Sequence, residues 1–152
     1  MTFEKRFLQL RNKYYPKLKH IELKKRKQDY FMIAPPFSKH VYYNETIIKK
    51  CNPKARDAAF IHELYHKQQF ARYNPVMRLL IWIGYFTSLK VRIKIEREAH
   101  TETVKKGFGE GTILLNKFVK SRYSEQDWNK EHNKLHLSEK EIRKMIENKK
   151  IK

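Results

Sequence analysis

The stretch NPKARDAAFIHELYHKQQFARYNP, residues 52–75, organises the rest of the chain. Asn52 is a typical N-cap residue, and Pro53 suits the first helical position because its missing N–H is not needed there. Asn74 and Pro75 end the pattern, since proline cannot continue a helix. We therefore predict a helix from about Pro53 to Tyr73.

The middle of this helix carries the sequence His62-Glu63-Leu64-Tyr65-His66. Residues four apart lie on one helix face, so the rings of His62 and His66 can reach a single ion. Glu63 is turned by about 100° from His62, and it projects beside such an ion, where a general base for a metal-bound water belongs. The alternative is a helix with two surface histidines and an unrelated glutamate.

The composition indicates one folded domain with a strongly basic surface. Hydrophobic residues make up 40% of the chain, which is enough for one core. The length of 152 residues is too short for two comfortable domains. The net charge of +19 attracts polyanions, whether nucleic acid, an anionic membrane surface or acidic cell-wall polymers, without choosing among them. A solvated basic surface with no dedicated partner is the alternative. The composition carries no indication of an oligomeric state.

Cysteine usage and apolar runs favour a cytoplasmic protein, either free or peripheral to a membrane. Cys51 is the single cysteine, so no internal disulfide can form. The first residues lack the apolar segment of a signal peptide. The longest apolar run, residues 79–89, is far shorter than the roughly 20 residues that span a bilayer.

Hydrophobic periodicity predicts a mostly helical α+β fold. A helix over residues 3–15 precedes two hairpin-like units within residues 18–49, which include strands at Val41–Tyr43 and Thr46–Ile48. We expect this small N-terminal β-sheet to pack on the motif helix. Residues 75–89 are apolar nearly all round, which is typical of a core helix; a membrane-dipping element and an apolar substrate wall are the alternatives.

We predict a single domain over residues 1–152, with further helices in its C-terminal half. We predict helices over residues 91–106 and 112–123, and a last helix that begins at the capping box of Ser138 and Glu141. Residues 124–152 form a basic helical C-terminal extension. His132 and His136 are also four apart, but Asn133 stands where the glutamate would be, and we expect a solvated face there.

A catalytic zinc ion usually takes three protein ligands, so His62 and His66 need a third. Glu96 and His100 share one face of their predicted helix, whereas Glu98 points roughly 200° away from Glu96. Apolar residues flank both faces, and periodicity alone does not choose between them.

The sequence His62-Glu63-x-x-His66 followed by Glu96-x-x-Ala99 resembles the gluzincin pattern H-E-x-x-H…E-x-x-A. It is similar to the motifs of the membrane-associated M48-type peptidases and the ImmA/IrrE-type regulatory peptidases. The resemblance covers about residues 41–104, as the motif-bearing core of a zincin-like domain, and implies Glu96 as the third Zn²⁺ ligand. Position 100 departs from these families, which commonly have Asp or Asn there. An H-E-x-x-H…H arrangement resembles SprT-type peptidases and would make His100 the ligand. The alternatives are that His100 orients a ligand through its ring N–H or binds a substrate carbonyl.

The resemblance implies a zinc metallopeptidase that acts on a peptide or protein substrate. Zinc lowers the pKa of its water towards about 7, and Glu63 takes the proton and passes it to the leaving amine. Tyr65, Tyr73 or His100 would stabilise the oxyanion. The substrate would dock as an extra strand beside Val41–Ile48, since extended peptides bind sheet edges.

The alternative function is a basic protein that binds nucleic acid or a membrane surface through its lysine-rich faces. Its metal site would then be structural or vestigial.

Overall fold

A computed structural model describes residues 1–150, apart from the side chains of Glu131 and Lys150. The fold is a mostly helical α+β domain with a small sheet near the N-terminus, as the sequence predicted. The three strands are β1 (Glu22–Lys25), β2 (Met32–Ile33) and β3 (His40–Tyr43). The helices are α1 (Phe3–Tyr14), α2 (Glu45–Ile48), α3 (Pro53–Ala71), α4 (Pro75–Thr87), α5 (Leu89–Thr103), α6 (Gly109–Lys120), α7 (Glu125–Asp127), α8 (Asn133–Leu135) and α9 (Glu139–Lys150). Within residues 1–150, no helix is both long enough and apolar enough to cross a bilayer.

The sheet has the order β1-β3-β2, so β3 is its central strand. β1 pairs with β3 in parallel, and β2 pairs with β3 antiparallel across a loop at residues 34–39. One of the two predicted hairpins is present, formed by β2 and β3, whereas residues 18–49 do not form the second. The strand predicted at Thr46–Ile48 is instead helix α2, because the Asn44 side chain accepts hydrogen bonds from the N–H groups of Thr46 and Ile47 and so caps a helix.

Helix α3 is the centre of the molecule and contacts α1, α5, α6 and β2. Asn52 caps it through the backbone N–H of Lys54, and Pro53 is its first residue, as predicted. Its apolar side chains join those of α1 and the sheet in one core. Helix α6 approaches so closely that a Cβ added at Gly111 would lie 2.4 Å from the Lys54 carbonyl oxygen. A helix buried on nearly all sides holds its polar side chains in fixed positions.

Helix α4 departs most from expectation. The sequence predicted a core helix, but none of its 13 residues, all of which the structure describes, is buried. Helix α4 packs chiefly on α5, while α1, α5 and α6 occupy the surface of α3. The core-helix prediction was wrong because other helices already cover the apolar surface that α4 would have needed.

The chain turns sharply between α5 and α6 at Gly107, whose φ of 96° favours glycine. After α6, the short helices α7 and α8 lead to α9. Ser138 and Glu141 form the predicted capping box, with reciprocal hydrogen bonds between the side chain of each residue and the backbone N–H of the other. Helix α8 contacts α5, and the C-terminal segment therefore joins the same domain body.

Candidate metal centre

Helices α3 and α5 bring two imidazoles and one carboxylate together. The Nε2 atom of His62 lies 3.1 Å from Glu96 Oε2 and 3.0 Å from the Nε2 atom of His66. His66 Nε2 lies 3.6 Å from the same Glu96 oxygen. The three predicted ligand atoms therefore form one small triangle.

The size of this triangle fits a tetrahedral zinc site. Zinc binds imidazole nitrogen and carboxylate oxygen at about 2.0–2.2 Å, which puts neighbouring ligand atoms of a tetrahedron about 3.4 Å apart. The three distances, 3.0, 3.1 and 3.6 Å, lie on both sides of that value. The donor set, two nitrogens and one carboxylate oxygen, is also one that zinc commonly takes at catalytic sites.

The hydrogen bond between His66 and Gln69 fixes the tautomer of the neutral His66 ring. It therefore determines which ring nitrogen carries the lone pair that faces the triangle. The side-chain carbonyl of Gln69 can only accept, so the Nδ1 atom of His66 donates to it across 3.2 Å. In the neutral ring, the Nε2 atom then carries a lone pair that points at His62 and Glu96. Such a convergence of lone pairs needs a cation, either a proton or a metal ion.

The charges of the metal-free site follow the same geometry. Burial lowers the pKa of His66, but the Glu96 carboxylate outweighs that effect and the pKa is raised to about 9. Burial raises the pKa of Glu96, but the two imidazoles bring it well below its usual value. A proton on His66 thus occupies the place that a divalent cation would take.

A network of side chains behind His66 fixes this arrangement. The amide nitrogen of Gln69 donates to Glu98 at 2.8 Å, which sets the orientation of the Gln69 amide. Glu98 also accepts from the Tyr65 hydroxyl at 2.5 Å and from Arg72 at 2.9 Å. Glu98 and Tyr65 therefore support the site from outside, and neither faces the three ligand atoms.

His100 is fully buried beside the triangle. One of its ring nitrogens, together with His62 and Glu96, belongs to a group of ligand atoms within 4.8 Å of one another. The Nε2 atom of His66 lies 3.0 Å from His62 Nε2 and 3.6 Å from Glu96 Oε2, so His66 completes a set with the spacing of a tetrahedral site. The Nδ1 atom of His100 has no hydrogen-bond partner among the described residues, and its Nε2 atom lies 2.9 Å from Nδ1 of His136.

The solvated face expected for the His132 and His136 pair was wrong at His136. This ring is half-buried, stacks on Trp128 and contacts His100. Burial lowers the pKa of His136 to about 4, so the ring is neutral near pH 7. No local pattern in the sequence predicts the contact between His100 and His136, because these residues are 36 positions apart in the chain.

Two tyrosines differ from expectation: Tyr85 contacts the site, and Tyr73 does not. The hydroxyl of Tyr85 in α4 donates to Glu96 Oε1 at 2.5 Å, a contact that the apolar sequence around Tyr85 did not indicate. Burial and the nearby Glu96 raise the pKa of Tyr85, so it stays a donor. Tyr73, named from the sequence as an oxyanion candidate, is exposed beyond the end of α3 and does not line the cleft.

A cleft of about 520 Å³ gives access to these side chains. Glu63 lines it, and burial raises the pKa of the Glu63 carboxyl group above its ordinary value. The residues of β2 form part of the cleft wall. The predicted docking edge at Val41–Ile48 was wrong, because β3 is paired on both sides and β2 is the edge strand beside the site.

Comparison with known proteins adds no family assignment to this geometry. No protein family, no curated protein and no solved structure gives a significant match to this chain.

Proposed function

We propose that the protein is a zinc-dependent metallopeptidase in which His62, His66 and Glu96 hold the metal ion. The observation that carries the proposal is the approach of their three ligand atoms to within 3.0–3.6 Å of one another. The gluzincin-like spacing of the motif residues supports the same three side chains independently.

Each residue of the site has a defined role. Bound Zn²⁺ supplies a Lewis acid that polarises a peptide carbonyl and acidifies water. Glu63 is the general base, because burial raises its pKa and its carboxylate accepts a proton more readily than that of an exposed glutamate. Glu63 then returns the proton to the amine leaving group. Tyr85 holds one oxygen of Glu96 and leaves the other turned to the imidazoles.

An extended segment of a peptide or protein suits the cleft as substrate. The edge strand β2 lies in the cleft wall, and a strand edge offers backbone groups that pair with an extended chain. Phe70, Trp82 and Phe86 line the same cleft and offer apolar contact to side chains of the substrate. A cytoplasmic location belongs to the same proposal, and it rests on the single, buried Cys51.

The second candidate is the basic binding protein with a structural or vestigial metal site. The net charge of +19 favours it, since such a charge attracts nucleic acid and anionic surfaces. A polyanion-binding surface does not require a buried group of two imidazoles and two glutamates, and for this reason we favour the enzyme.

The experiment compares wild-type protein with Glu63→Gln, His62→Ala and the exposed control Glu125→Gln. Each is loaded with one equivalent of Zn²⁺ and incubated with a mixture of unstructured peptides, and the products are identified by mass spectrometry. We expect Glu63→Gln to keep its zinc and to lose activity by about 10²–10⁴-fold, the usual contribution of a general base. His62→Ala should lose both zinc and activity, and Glu125→Gln should keep both.

Cleavage that survives in Glu63→Gln or in chelator-treated protein would overturn the proposed function. Failure of the wild type to bind zinc, together with salt-dependent binding to DNA, RNA or anionic vesicles, would favour the second candidate.

A further inference from the structure

One side of helix α4 turns apolar side chains away from the protein. Val76, Leu80 and Ile83 form a ridge on its outer side, and Leu79 and Phe86 flank that ridge. All five are exposed, among them Leu80 at 55% and Ile83 at 49%. We call these five residues the α4 ridge. The surfaces of soluble proteins rarely expose so many large apolar side chains together, and such a patch marks an interaction site.

The opposite side of α4 accounts for its attachment to the domain. Trp82 packs edge-on against Phe70, and the Tyr85 hydroxyl reaches Glu96. Arg92 of α5 donates to the carbonyl oxygen of Tyr85. None of these contacts involves Val76, Leu79, Leu80 or Ile83, so the apolar character of these four ridge residues needs another explanation.

The charge around α4 identifies the kind of partner. Residues 73–95 contain no Asp or Glu, and they contain four basic residues, Arg78, Lys90, Arg92 and Lys94. Lys90 and Lys94 lie in the first two turns of α5, the helix that follows α4, and are exposed. A second copy of this chain, with its own net charge of +19, would be repelled from such a surface. An anionic surface with an apolar interior matches both the ridge and the charge.

We propose that the α4 ridge docks on an anionic phospholipid surface. The 13 residues of α4 measure about 20 Å, shorter than the roughly 30 Å of a bilayer core, so the helix lies in the headgroup region. The ridge side chains enter the boundary of the acyl chains, and Lys90 and Lys94 contact lipid phosphates. Phe86 lies both on the ridge and in the cleft wall, so the docked protein has its cleft beside the lipid surface.

The test is co-sedimentation with vesicles of phosphatidylcholine containing about 30% phosphatidylglycerol, an anionic fraction high enough to attract basic segments. Vesicles of phosphatidylcholine alone are the lipid control. We expect binding to the anionic vesicles that falls with added salt, and much weaker binding to the neutral ones.

Variants separate the ridge from the rest of the surface. Leu80→Asn combined with Ile83→Asn should weaken binding by about tenfold or more, because apolar contact with the acyl boundary is lost. Phe37→Asn is the matched control, since Phe37 is also 55% exposed but lies outside α4. Leu80→Asn alone serves as the second variant, and circular dichroism shows that each protein is folded.

The role of charge is tested in the same way. Lys90→Gln with Lys94→Gln should weaken binding by about tenfold, whereas Lys19→Gln with Lys24→Gln removes the same charge elsewhere and should have a smaller effect. Absence of vesicle binding, or equal binding by wild type and the Leu80→Asn/Ile83→Asn variant, would overturn the proposal. So would a dimer in solution that this double variant converts to a monomer, because the ridge would then meet a second copy.

Discussion

The ring of His66 donates its Nδ1 proton to the side-chain carbonyl of Gln69 across 3.2 Å, and the amide of Gln69 is held in turn by Glu98 at 2.8 Å. In the neutral ring this pair sets the tautomer of His66 and directs its Nε2 lone pair at His62 and Glu96. Outer contacts of this kind orient a metal-binding histidine and raise its basicity.

Gln69→Leu tests this relationship, because leucine keeps much of the buried volume and removes the acceptor. We expect zinc affinity to fall by about 10–100-fold, the usual effect of losing such a partner. The neighbouring Gln68 is exposed, so Gln68→Leu is a matched control that should leave zinc affinity unchanged. Competition with a chromophoric chelator measures both, and equal affinity in the two variants would contradict the role of Gln69.

Glu96→Gln and Glu98→Gln separate the two carboxylates of α5. Glu96 lies 3.1 Å from His62, whereas Glu98 contacts Tyr65, Gln69 and Arg72. We expect Glu96→Gln to abolish stoichiometric zinc binding at micromolar concentrations, and Glu98→Gln to weaken it by about tenfold, as an outer residue does. Metal analysis after gel filtration gives the stoichiometry. A reversal of the two effects would assign the ligand to Glu98.

Gly111→Ala should destabilise the fold, because the new Cβ would lie 2.4 Å from the Lys54 carbonyl and would force α6 away from α3. We expect a loss of about 1–3 kcal/mol in the free energy of unfolding. Gly84→Ala is the control: the nearest contact of its Cβ would be the Val91 side chain, at 3.4 Å, and alanine favours a helix. Thermal melts compare the two, and an unchanged Tm in Gly111→Ala would contradict this helix contact.

Cys51 should make stability fall at alkaline pH. Burial raises the pKa of its thiol to about 11, whereas the unfolded thiol has a pKa of about 8.5. The unfolded chain therefore releases this proton first, and the free energy of unfolding decreases as the pH rises from about 8.5 to about 11. The slope should be smaller in Cys51→Ala when urea titrations are compared over this range. Identical slopes would show that the thiol is not buried in the folded state.

The helices around the motif could be predicted because their signals are local. Asn52 with Pro53, and Ser138 with Glu141, are capping patterns of residues at most three positions apart, and the structure has a helix at each. The strand predicted at Thr46–Ile48 was wrong because another local signal, the Asn44 cap, acts on the same residues. The Asn44 cap outweighed the β-propensity of the residues that follow it.

The environment of α4 and the contact of His100 with His136 depend on distant parts of the chain. An apolar segment such as residues 75–89 is compatible with a core or with an exposed ridge, and the choice depends on which other helices pack against α3. The sequence also left Glu96, Glu98 and His100 open as the third ligand. Only the crossing of α3 and α5 brings Glu96 to 3.1 Å from His62 and turns Glu98 towards Gln69.

We propose that one zinc ion binds between α3 and α5. The most direct measurement is a crystal structure of zinc-loaded protein with diffraction data collected on both sides of the zinc absorption edge. We predict one anomalous peak at about 2.0–2.2 Å from His62 Nε2, His66 Nε2 and a Glu96 oxygen. A peak bound by His100 in place of His66, or zinc-soaked crystals without a peak at this site, would contradict the account.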